Sequence, residues 1–369
     1  MFAEQYRGIS IMNNTKSITK SITKCITKRN TISNTAILDI FNSSDPGLLE
    51  QLAREAQSLT RQYFGRAISL YAPLYLSNYC ANQCVYCGFH AGRAIPRLKL
   101  DAADIERECR ALAQTGIQSL LLLTGESRRH TPPEYLEQAL KIAGKYFANV
   151  SIEVYPLETA EYARLRAAGC DGMTVFQETY DRERYQLLHP AGRKRDYDYR
   201  YQTPRRAAQA GLRQITLGPL LGLSDWRQDV LALYDHLRGL EKEFPGVDYA
   251  LSFPRLQKLG GYDDSGYLVG DADMVKIICC TRLLFPRVGI NLSTRESAAF
   301  RDRAVSFGVT KISAGSSTAV GGYADTGHRA ESKCQFEIND ERPVNAIKTM
   351  LERQGFDPVF TDWRCLAAG

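Results

Sequence analysis

Long apolar segments are missing from this sequence. No run of about 18 or more apolar residues occurs in the chain, and a bilayer-spanning helix needs about 20. The apolar core of a secretory signal peptide is missing as well, so the ten cysteines indicate a reducing cytoplasm rather than a disulfide framework. A chain of 369 residues can bury a core without disulfides. We therefore expect a cytoplasmic globular protein without a membrane-spanning segment.

Acidic residues are missing from the beginning of the chain. Six basic residues and no acidic one lie between Gln5 and Leu38, which accounts for the net charge of +6. The remaining chain is neutral and gives no support for nucleic-acid binding. The stretch is rich in Ser and Thr and repeats Ser-Ile-Thr-Lys imperfectly over residues 17–28. We expect residues 1–45 to be a disordered leader or the product of a start codon placed too far upstream. A transit peptide and a nucleic-acid arm are the alternatives.

The rest of the chain, residues 46–369, alternates between strand-like and helical patterns. Eight apolar runs predict strands at residues 69–76, 119–123, 149–155, 172–176, 214–218, 247–253, 288–293 and 309–313. Helical patterns lie at residues 48–64, 101–115, 134–147, 158–168, 226–243, 271–284 and 296–307. This order predicts an α/β fold, a (β/α)8 barrel of the TIM type with an N-terminal helical extension and a short C-terminal extension. An open barrel of six units is the alternative.

Polar residues gather where the predicted strands end, which is where such barrels place their chemistry. A single charged residue at a strand end is usually a solvated loop residue, but repeated clusters at one face favour a binding site. The clusters after the second to eighth strands are Thr124-Gly125-Glu126, Glu153 with Tyr155, residues 177–180, residues 218–225, residues 252–255, residues 293–296, and Ser313 with residues 321–323.

Three cysteines follow the first predicted strand with the spacing Cys-x-x-x-Cys-x-x-Cys. Cys80, Cys84 and Cys87 place three thiolates on one short loop. An iron–sulfur cubane usually takes four thiolates, so three ligands leave one iron open to another ligand. A structural zinc site would need a fourth Cys or His, for which only His90 is near, and spacing alone is a weak guide to the metal. The other seven cysteines show no ligand-like spacing and are expected to be buried or incidental thiols.

With Tyr86 before the third cysteine and Gly88-Phe89 after it, the loop resembles the radical S-adenosylmethionine superfamily. The resemblance implies a four-iron four-sulfur (4Fe-4S) cluster on the three cysteines and an aromatic ring, Tyr86, against the adenine. Thr124-Gly125-Glu126 occupies the place of the superfamily's Gly-Gly-Glu motif, whose carboxylate offsets the charge of the cofactor's amine. Glycine there lets the backbone approach a ligand. The implied cofactor contacts are Tyr86, Thr124, Gly125, Glu126, Glu153 and Gly218.

Longer stretches of sequence extend the resemblance from the superfamily to a single family within it. From about residue 48 to 363 the chain is similar to the 2-iminoacetate synthases, the tyrosine lyases of bacterial thiamine biosynthesis. The strings cover residues 75–89, Leu-Leu-Leu-Thr-Gly-Glu (121–126), Phe176–Tyr180, Gly-Leu-Ser-Asp-Trp (222–226), Ser-Phe-Pro-Arg (252–255), Leu-Ser-Thr-Arg-Glu-Ser (292–297) and Gly-Gly-Tyr-Ala-Asp (321–325). The hydrogenase-maturation tyrosine lyase and biotin synthase fit less well because each needs further cluster cysteines. Deazaflavin-cofactor synthases also use tyrosine, but the strings Ser-Thr-Arg-Glu-Ser (293–297) and Gly-Gly-Tyr-Ala-Asp (321–325) fit the 2-iminoacetate synthases better.

This resemblance implies cleavage of the Cα–Cβ bond of L-tyrosine to 2-iminoacetate and p-cresol, for the thiazole moiety of thiamine. It implies thiazole synthase as a partner, and flavodoxin or ferredoxin as the reductant. The expected substrate contacts are Arg295, Glu178, Tyr180 and Arg255. Arg295 has a planar donor fork suited to a carboxylate, although a salt bridge to Glu296 or Glu178 is the alternative. A protein that holds a redox-sensing or structural cluster without catalysis is the other class of function.

Overall fold

Eight parallel strands form a closed barrel in the computed structural model, which describes residues 33–257, 265–324 and 335–361. The strands are β1 Ala67–Ser77, β2 Ser119–Thr124, β3 Asn149–Glu153, β4 Gly172–Glu178, β5 Gln214–Pro219, β6 Asp248–Ser252, β7 Gly289–Leu292 and β8 Lys311–Ser313. All eight lie where the apolar runs predict them. Such runs arise because strands of a barrel are covered on both faces.

The first strand closes the barrel. Residues 72–77 of β1 pair in parallel with β2, and residues 69–71 pair in parallel with β8. The open six-unit alternative is therefore wrong, and the predicted (β/α)8 fold is confirmed. A ninth strand, β9 Asp357–Val359, pairs with residues 67–69 at the beginning of β1 and was not predicted. Its three residues are too few to show a periodic pattern.

Helices connect the strands and surround the barrel. Those that follow the predicted patterns are α2 Pro46–Phe64, α3 Ala102–Ala113, α4 Pro133–Ala143, α5 Thr159–Ala167, α9 Trp226–Glu243, α10 Asp271–Leu284 and α11 Ala298–Ala304. Those that the sequence did not predict are α1 Asn34–Asn42, α6 Arg182–Leu188, α7 Tyr197–Tyr201, α8 Thr203–Gln209 and α12 Val344–Arg353. Helices α6 to α8 are too short for a clear apolar period. None of the described helices has the length and apolar character needed to cross a membrane.

The helix α1 lies within the segment expected to be a disordered leader. Ser33 caps it by accepting a hydrogen bond from the Ala36 amide, and Ile37, Ile40 and Phe41 are buried. The Phe41 ring lies 4.9 Å from that of Trp226 on α9. The expectation of disorder therefore fails for residues 34–42, because their apolar face packs on the barrel. Residues 1–32 of that prediction lie outside the described residues.

Candidate active site

A cavity opens at the carboxyl ends of the strands, and most of the predicted site residues line it. The last residues of β2, β3 and β4 and the loops after β1, β2 and β7 supply these residues. Residues far apart in sequence meet here because parallel strands end at one face. The predicted residues in its lining are Cys80, Cys84, Cys87, Tyr86, Thr124, Gly125, Glu126, Glu153, Glu178 and Arg295.

Three predicted residues have other tasks and are not in this lining. Arg255 donates from Nε to Glu296 at 2.9 Å and from Nη1 to Asp271 at 2.8 Å. Gly218 lies against β6, where an added Cβ would stand 1.8 Å from the carbonyl oxygen of Ser252. The structure thus uses Arg255 as an ion-pair residue and Gly218 for close strand packing, and brings neither to the cavity.

Tyr180 is the third of these residues. Its amide donates to Asp229 Oδ1 at 2.6 Å, and its hydroxyl lies 3.1 Å from His236 Nδ1. The side chain packs edge-on to Tyr201. Tyr180 therefore ties the end of β4 to α9 in the framework outside the cavity.

The cysteine loop is held on both sides by backbone hydrogen bonds. The Ala81 amide donates to the Glu126 carbonyl at 3.0 Å, the Gln83 amide to Ala191 at 3.0 Å, and the Val85 amide to Leu188 at 3.2 Å. Gly125 permits this contact, because an added Cβ would stand 2.4 Å from the carbonyl oxygen of Tyr79. Glycine at this position therefore allows the loop after β2 to pack closely against the cysteine loop.

The three free thiols fit a cluster better than a single ion. Among the described residues, no three His, Cys, Asp or Glu side chains are placed to hold one metal ion together. A zinc site needs such convergence, whereas each thiolate of an iron–sulfur cluster binds a different iron. Burial raises the pKa of Cys80 to about 11, so the loop needs a bound cation to favour the thiolate. Three thiols around one cavity suit a cubane with one open iron.

Four charged residues lie beside the cysteine loop: Glu178 and Arg200, which are buried, and Glu126 and Lys194, which are largely buried. Arg200 donates to Glu126 at 2.9 Å and to Glu178 at 3.4 Å, while Lys194 Nζ lies 2.6 Å from Glu178. Asn82 Nδ2 donates to Glu126 at 2.7 Å. Burial acts to raise the pKa of both carboxyls, but the two cations hold it below the usual value. Both carboxylates are therefore charged and paired.

Sequence reasoning missed Lys194 and Arg200, which lie in the long connection between β4 and β5. Gly192 brings this segment against the cysteine loop: its φ is +96°, and an added Cβ would stand 2.2 Å from Asn82 Oδ1. The Lys194 amide donates to the same oxygen at 3.0 Å. A glycine followed by Lys and Arg is the available signal, but it is common in surface loops.

Glu178 has a strained backbone. Its φ of +72° is the sole positive value at a non-glycine residue in the described part of the chain, and the β4–β5 register shifts between Phe176 and Glu178. Such a conformation costs on the order of 1–3 kcal/mol and persists where the surroundings enforce it. Here the ion pairs to Lys194 and Arg200 hold the carboxylate at the cavity wall.

Tyr86 is oriented by a buried histidine that the sequence analysis also missed. His189 Nδ1 lies 2.7 Å from the carbonyl oxygen of Tyr185, which only accepts, so Nδ1 carries the hydrogen. The other nitrogen, Nε2, then accepts the hydroxyl hydrogen of Tyr86 at 2.8 Å. Burial, helped by Lys194, lowers the pKa of His189 to about 4, which keeps the ring neutral. The Tyr86 side chain is thereby fixed at the cavity wall.

Arg295 and Glu153 differ from these paired groups. The Arg295 guanidinium stands 3.4 Å from the centre of the Phe336 ring. Glu296, one of the two salt-bridge partners considered for Arg295, is paired with Arg255 instead. Within the described residues, no carboxylate lies within ion-pair distance of Arg295, and Glu153 accepts no hydrogen bond. Burial raises the pKa of Glu153 to about 7, against the opposing field of Arg295. These two groups face the cavity without a hydrogen-bond or ion-pair partner among the described residues.

Comparison with known proteins agrees with this geometry. Residues 74–237 match the model of the radical SAM superfamily, and residues 252–357 match the Biotin and Thiamin Synthesis associated domain. The chain is 42% identical to the 2-iminoacetate synthase of Escherichia coli K12, over 89% of this chain and 86% of the relative. It is 40% identical to that of Salmonella typhimurium LT2, over 90% and 88%. The crystal structure of HydG, a maturase of the FeFe-hydrogenase, superposes with a TM-score of 0.89 at 32% identity, over 96% of this chain and 78% of HydG.

Proposed function

The chain belongs to the 2-iminoacetate synthase family of the radical S-adenosylmethionine superfamily, and on this premise we propose how its cavity performs the reaction. The protein is a radical lyase that cleaves the Cα–Cβ bond of L-tyrosine to 2-iminoacetate and p-cresol, the iminoacetate serving the thiazole moiety of thiamine. Its cofactors are a four-iron four-sulfur cluster and S-adenosylmethionine. The observation that carries the proposal is one cavity that contains three thiols, paired carboxylates and an Arg295 that forms no ion pair with any described residue.

The cofactor side of the cavity is formed by the cysteine loop and the end of β2. Cys80, Cys84 and Cys87 would hold the cluster. Glu126 would bind the amine of S-adenosylmethionine, and Thr124 Oγ1, which has no hydrogen-bond partner in the described structure, adds a polar contact. The Tyr86 ring would lie against the adenine. When bound, the cofactors supply the radical chemistry that removes hydrogen from the substrate.

The substrate side is formed by Arg295 and the residues around it. A guanidinium fork matches a carboxylate with two parallel hydrogen bonds, so Arg295 would bind the tyrosine carboxylate. The Phe336 ring beneath the fork limits its rotation. Glu178 lines the same cavity, but its ion pairs keep its pKa low, so we assign it to ligand positioning rather than to proton transfer.

The partners follow from the chemistry of the product and of the cofactor. 2-Iminoacetate hydrolyses readily, so transfer to thiazole synthase in a complex would protect it. Reduction of the cluster needs a one-electron donor, for which we propose flavodoxin or ferredoxin. We place the protein in the cytoplasm, which the free thiols of the described cysteines support.

An anaerobic assay tests the function. The reconstituted protein is incubated with tyrosine, S-adenosylmethionine and dithionite, and p-cresol and 5′-deoxyadenosine are quantified. We expect both products, and a change in the electron paramagnetic resonance signal of the cluster when S-adenosylmethionine is added. Deoxyadenosine without p-cresol would redirect the assignment to another substrate. An unchanged signal with neither product would indicate a closed, non-catalytic cluster.

A further inference from the structure

The charged groups in the cavity divide into paired and unpaired ones. The carboxylates Glu126 and Glu178 are bound by Lys194 and Arg200. Glu153, the last residue of β3, lines the same cavity and accepts no hydrogen bond from any residue in the described parts of the chain. Arg295, after β7, is the cation opposite: its side chain donates no hydrogen bond within the same residues. A carboxylate and a guanidinium thus face one space without pairing with each other.

A charge that is held largely out of water without a counter-charge is costly, so two groups that line one cavity and lack an ion-pair partner among the described residues indicate a ligand that carries both opposite charges. A free α-amino acid is such a ligand, because its carboxylate and ammonium groups stand on the same carbon. Arg295 matches the first group and Glu153 the second. A ligand with a single negative charge would leave Glu153 unpaired.

We propose that Glu153 binds the α-ammonium group of the tyrosine substrate and accepts one of its protons. This inference rests on the proposed lyase function and adds a catalytic residue to it. One ammonium N–H bond breaks and its electron pair stays on nitrogen, while an O–H bond forms on the Glu153 carboxylate. The step gives a neutral amine and a neutral carboxyl group, and needs no oxidant or reductant. The amine then carries the lone pair that stabilises a nitrogen-centred radical when hydrogen is removed.

The surroundings of Glu153 suit a proton acceptor. An ordinary Glu has a pKa of about 4.3, far below the pKa of the ammonium group of a free amino acid. Burial raises the pKa of Glu153 to about 7, with Arg295, Lys194 and Arg200 acting to lower it and Glu178 acting to raise it. Tyr71 and Tyr75 face Glu153 from β1, and burial raises the pKa of both, so they stay neutral near pH 7. The difference in pKa between Glu153 and the substrate ammonium group is therefore much smaller than it would be for an exposed carboxylate.

Glu153→Gln tests the assignment, because it keeps the shape and removes the charge. In the reconstituted holoenzyme with S-adenosylmethionine, we would measure the dissociation constants of tyrosine and of 3-(4-hydroxyphenyl)propionate, which lacks the amine. We expect tyrosine binding to weaken at least tenfold and binding of the desamino compound to stay within twofold of wild type. Arg295→Lys is the matched variant, and it should weaken both ligands. Iron content and melting temperature check that each variant is folded.

The pH profile gives a second readout that a packing defect would not produce. In wild type, p-cresol formation at low tyrosine concentration should fall as the pH drops below about 7, where Glu153 becomes protonated in the free enzyme. Glu153→Asp should retain this fall in rate at low pH. Glu153→Gln should lose the pH dependence together with most of the activity.

Three outcomes would overturn the assignment of Glu153. If Glu153→Gln weakens the binding of tyrosine and of the desamino compound equally, the variant has disturbed the packing of the cavity rather than a contact to the amine. Weaker binding of S-adenosylmethionine together with unchanged binding of tyrosine would show that Glu153 contacts the cofactor. Glu153→Gln with wild-type p-cresol formation would remove it from the reaction. A wild-type protein that forms no p-cresol at all would instead refute the lyase function.

Discussion

The charged residues on the two sides of the cavity differ in how they are paired. On the cofactor side, Glu126, Glu178, Lys194 and Arg200 neutralise one another within the protein. On the substrate side, Arg295 stacks on Phe336, and neither Arg295 nor Glu153 has a counter-charge at ion-pair distance in the described structure. The first arrangement holds its shape before any ligand arrives, which suits a site that must orient a cofactor. The second leaves its charges for a zwitterionic ligand, so its residues contribute to binding rather than to stability.

The largest effect is expected on the cofactor side, from Cys84→Ala. Two remaining thiolates hold a cubane poorly, so the variant should contain little iron after reconstitution and should not cleave S-adenosylmethionine. The measurement is iron and sulfide content with the electron paramagnetic resonance spectrum. Cys109→Ala is the control, since Cys109 is buried in α3 outside the cavity lining. Retained cleavage in Cys84→Ala would remove the cluster from these cysteines.

Arg200→Met should destabilise the fold, because it leaves Glu126 and Glu178 with a single buried cation. Breaking a buried pair in this way typically costs about 3–5 kcal/mol, and we expect denaturant unfolding of the reconstituted protein to show a loss of this size. Arg205→Met is the matched control: its pair with Glu243 is exposed and should be worth about 1 kcal/mol or less. Equal losses in the two variants would contradict a prebuilt cofactor side.

Arg295→Lys should affect the ligand and spare the fold. The paired donors are lost although the charge remains, so tyrosine binding should weaken by about 2–5 kcal/mol, judged from buried interfacial pairs. That is more than tenfold in the dissociation constant. The free energy of unfolding should fall much less than in Arg200→Met, since no protein carboxylate in the described residues pairs with Arg295. Unchanged tyrosine affinity would place the carboxylate site elsewhere.

Tyr86→Phe should have the smallest effect. It removes the hydroxyl that His189 holds and leaves Nε2 of that buried ring without a partner. A loss of about 1 kcal/mol is typical of one hydrogen bond, which corresponds to roughly fivefold weaker S-adenosylmethionine binding. Equilibrium dialysis on the holoenzyme measures it, with Tyr155→Phe, outside the cavity lining, as the control. Equal affinity in Tyr86→Phe and wild type would show that the hydroxyl bond does not position the ring.

The barrel was predictable because its strands are covered on both faces and therefore read as apolar runs. The rule that chemistry lies at strand ends also located Glu153 and Arg295. It could not separate Arg295 from Arg255, since both follow a strand and the difference lies in which of them Glu296 pairs with. Lys194, Arg200 and His189 were missed because their tasks depend on contacts with the distant Asn82, Glu126 and Tyr86. Sequence patterns show that a charge is present, whereas only the fold shows whether it is paired.

The ratio of p-cresol to 5′-deoxyadenosine tests most directly whether the two sides act as described. Wild type should form the two products in comparable amounts when tyrosine is saturating. Tyr86→Phe should lower both products at low S-adenosylmethionine and keep their ratio, since it affects cofactor binding alone. Arg295→Lys should continue to form deoxyadenosine with little p-cresol, so its ratio should fall at least tenfold at low tyrosine. A ratio that stays at the wild-type value in Arg295→Lys, or that falls equally in both variants, would contradict the division of the cavity.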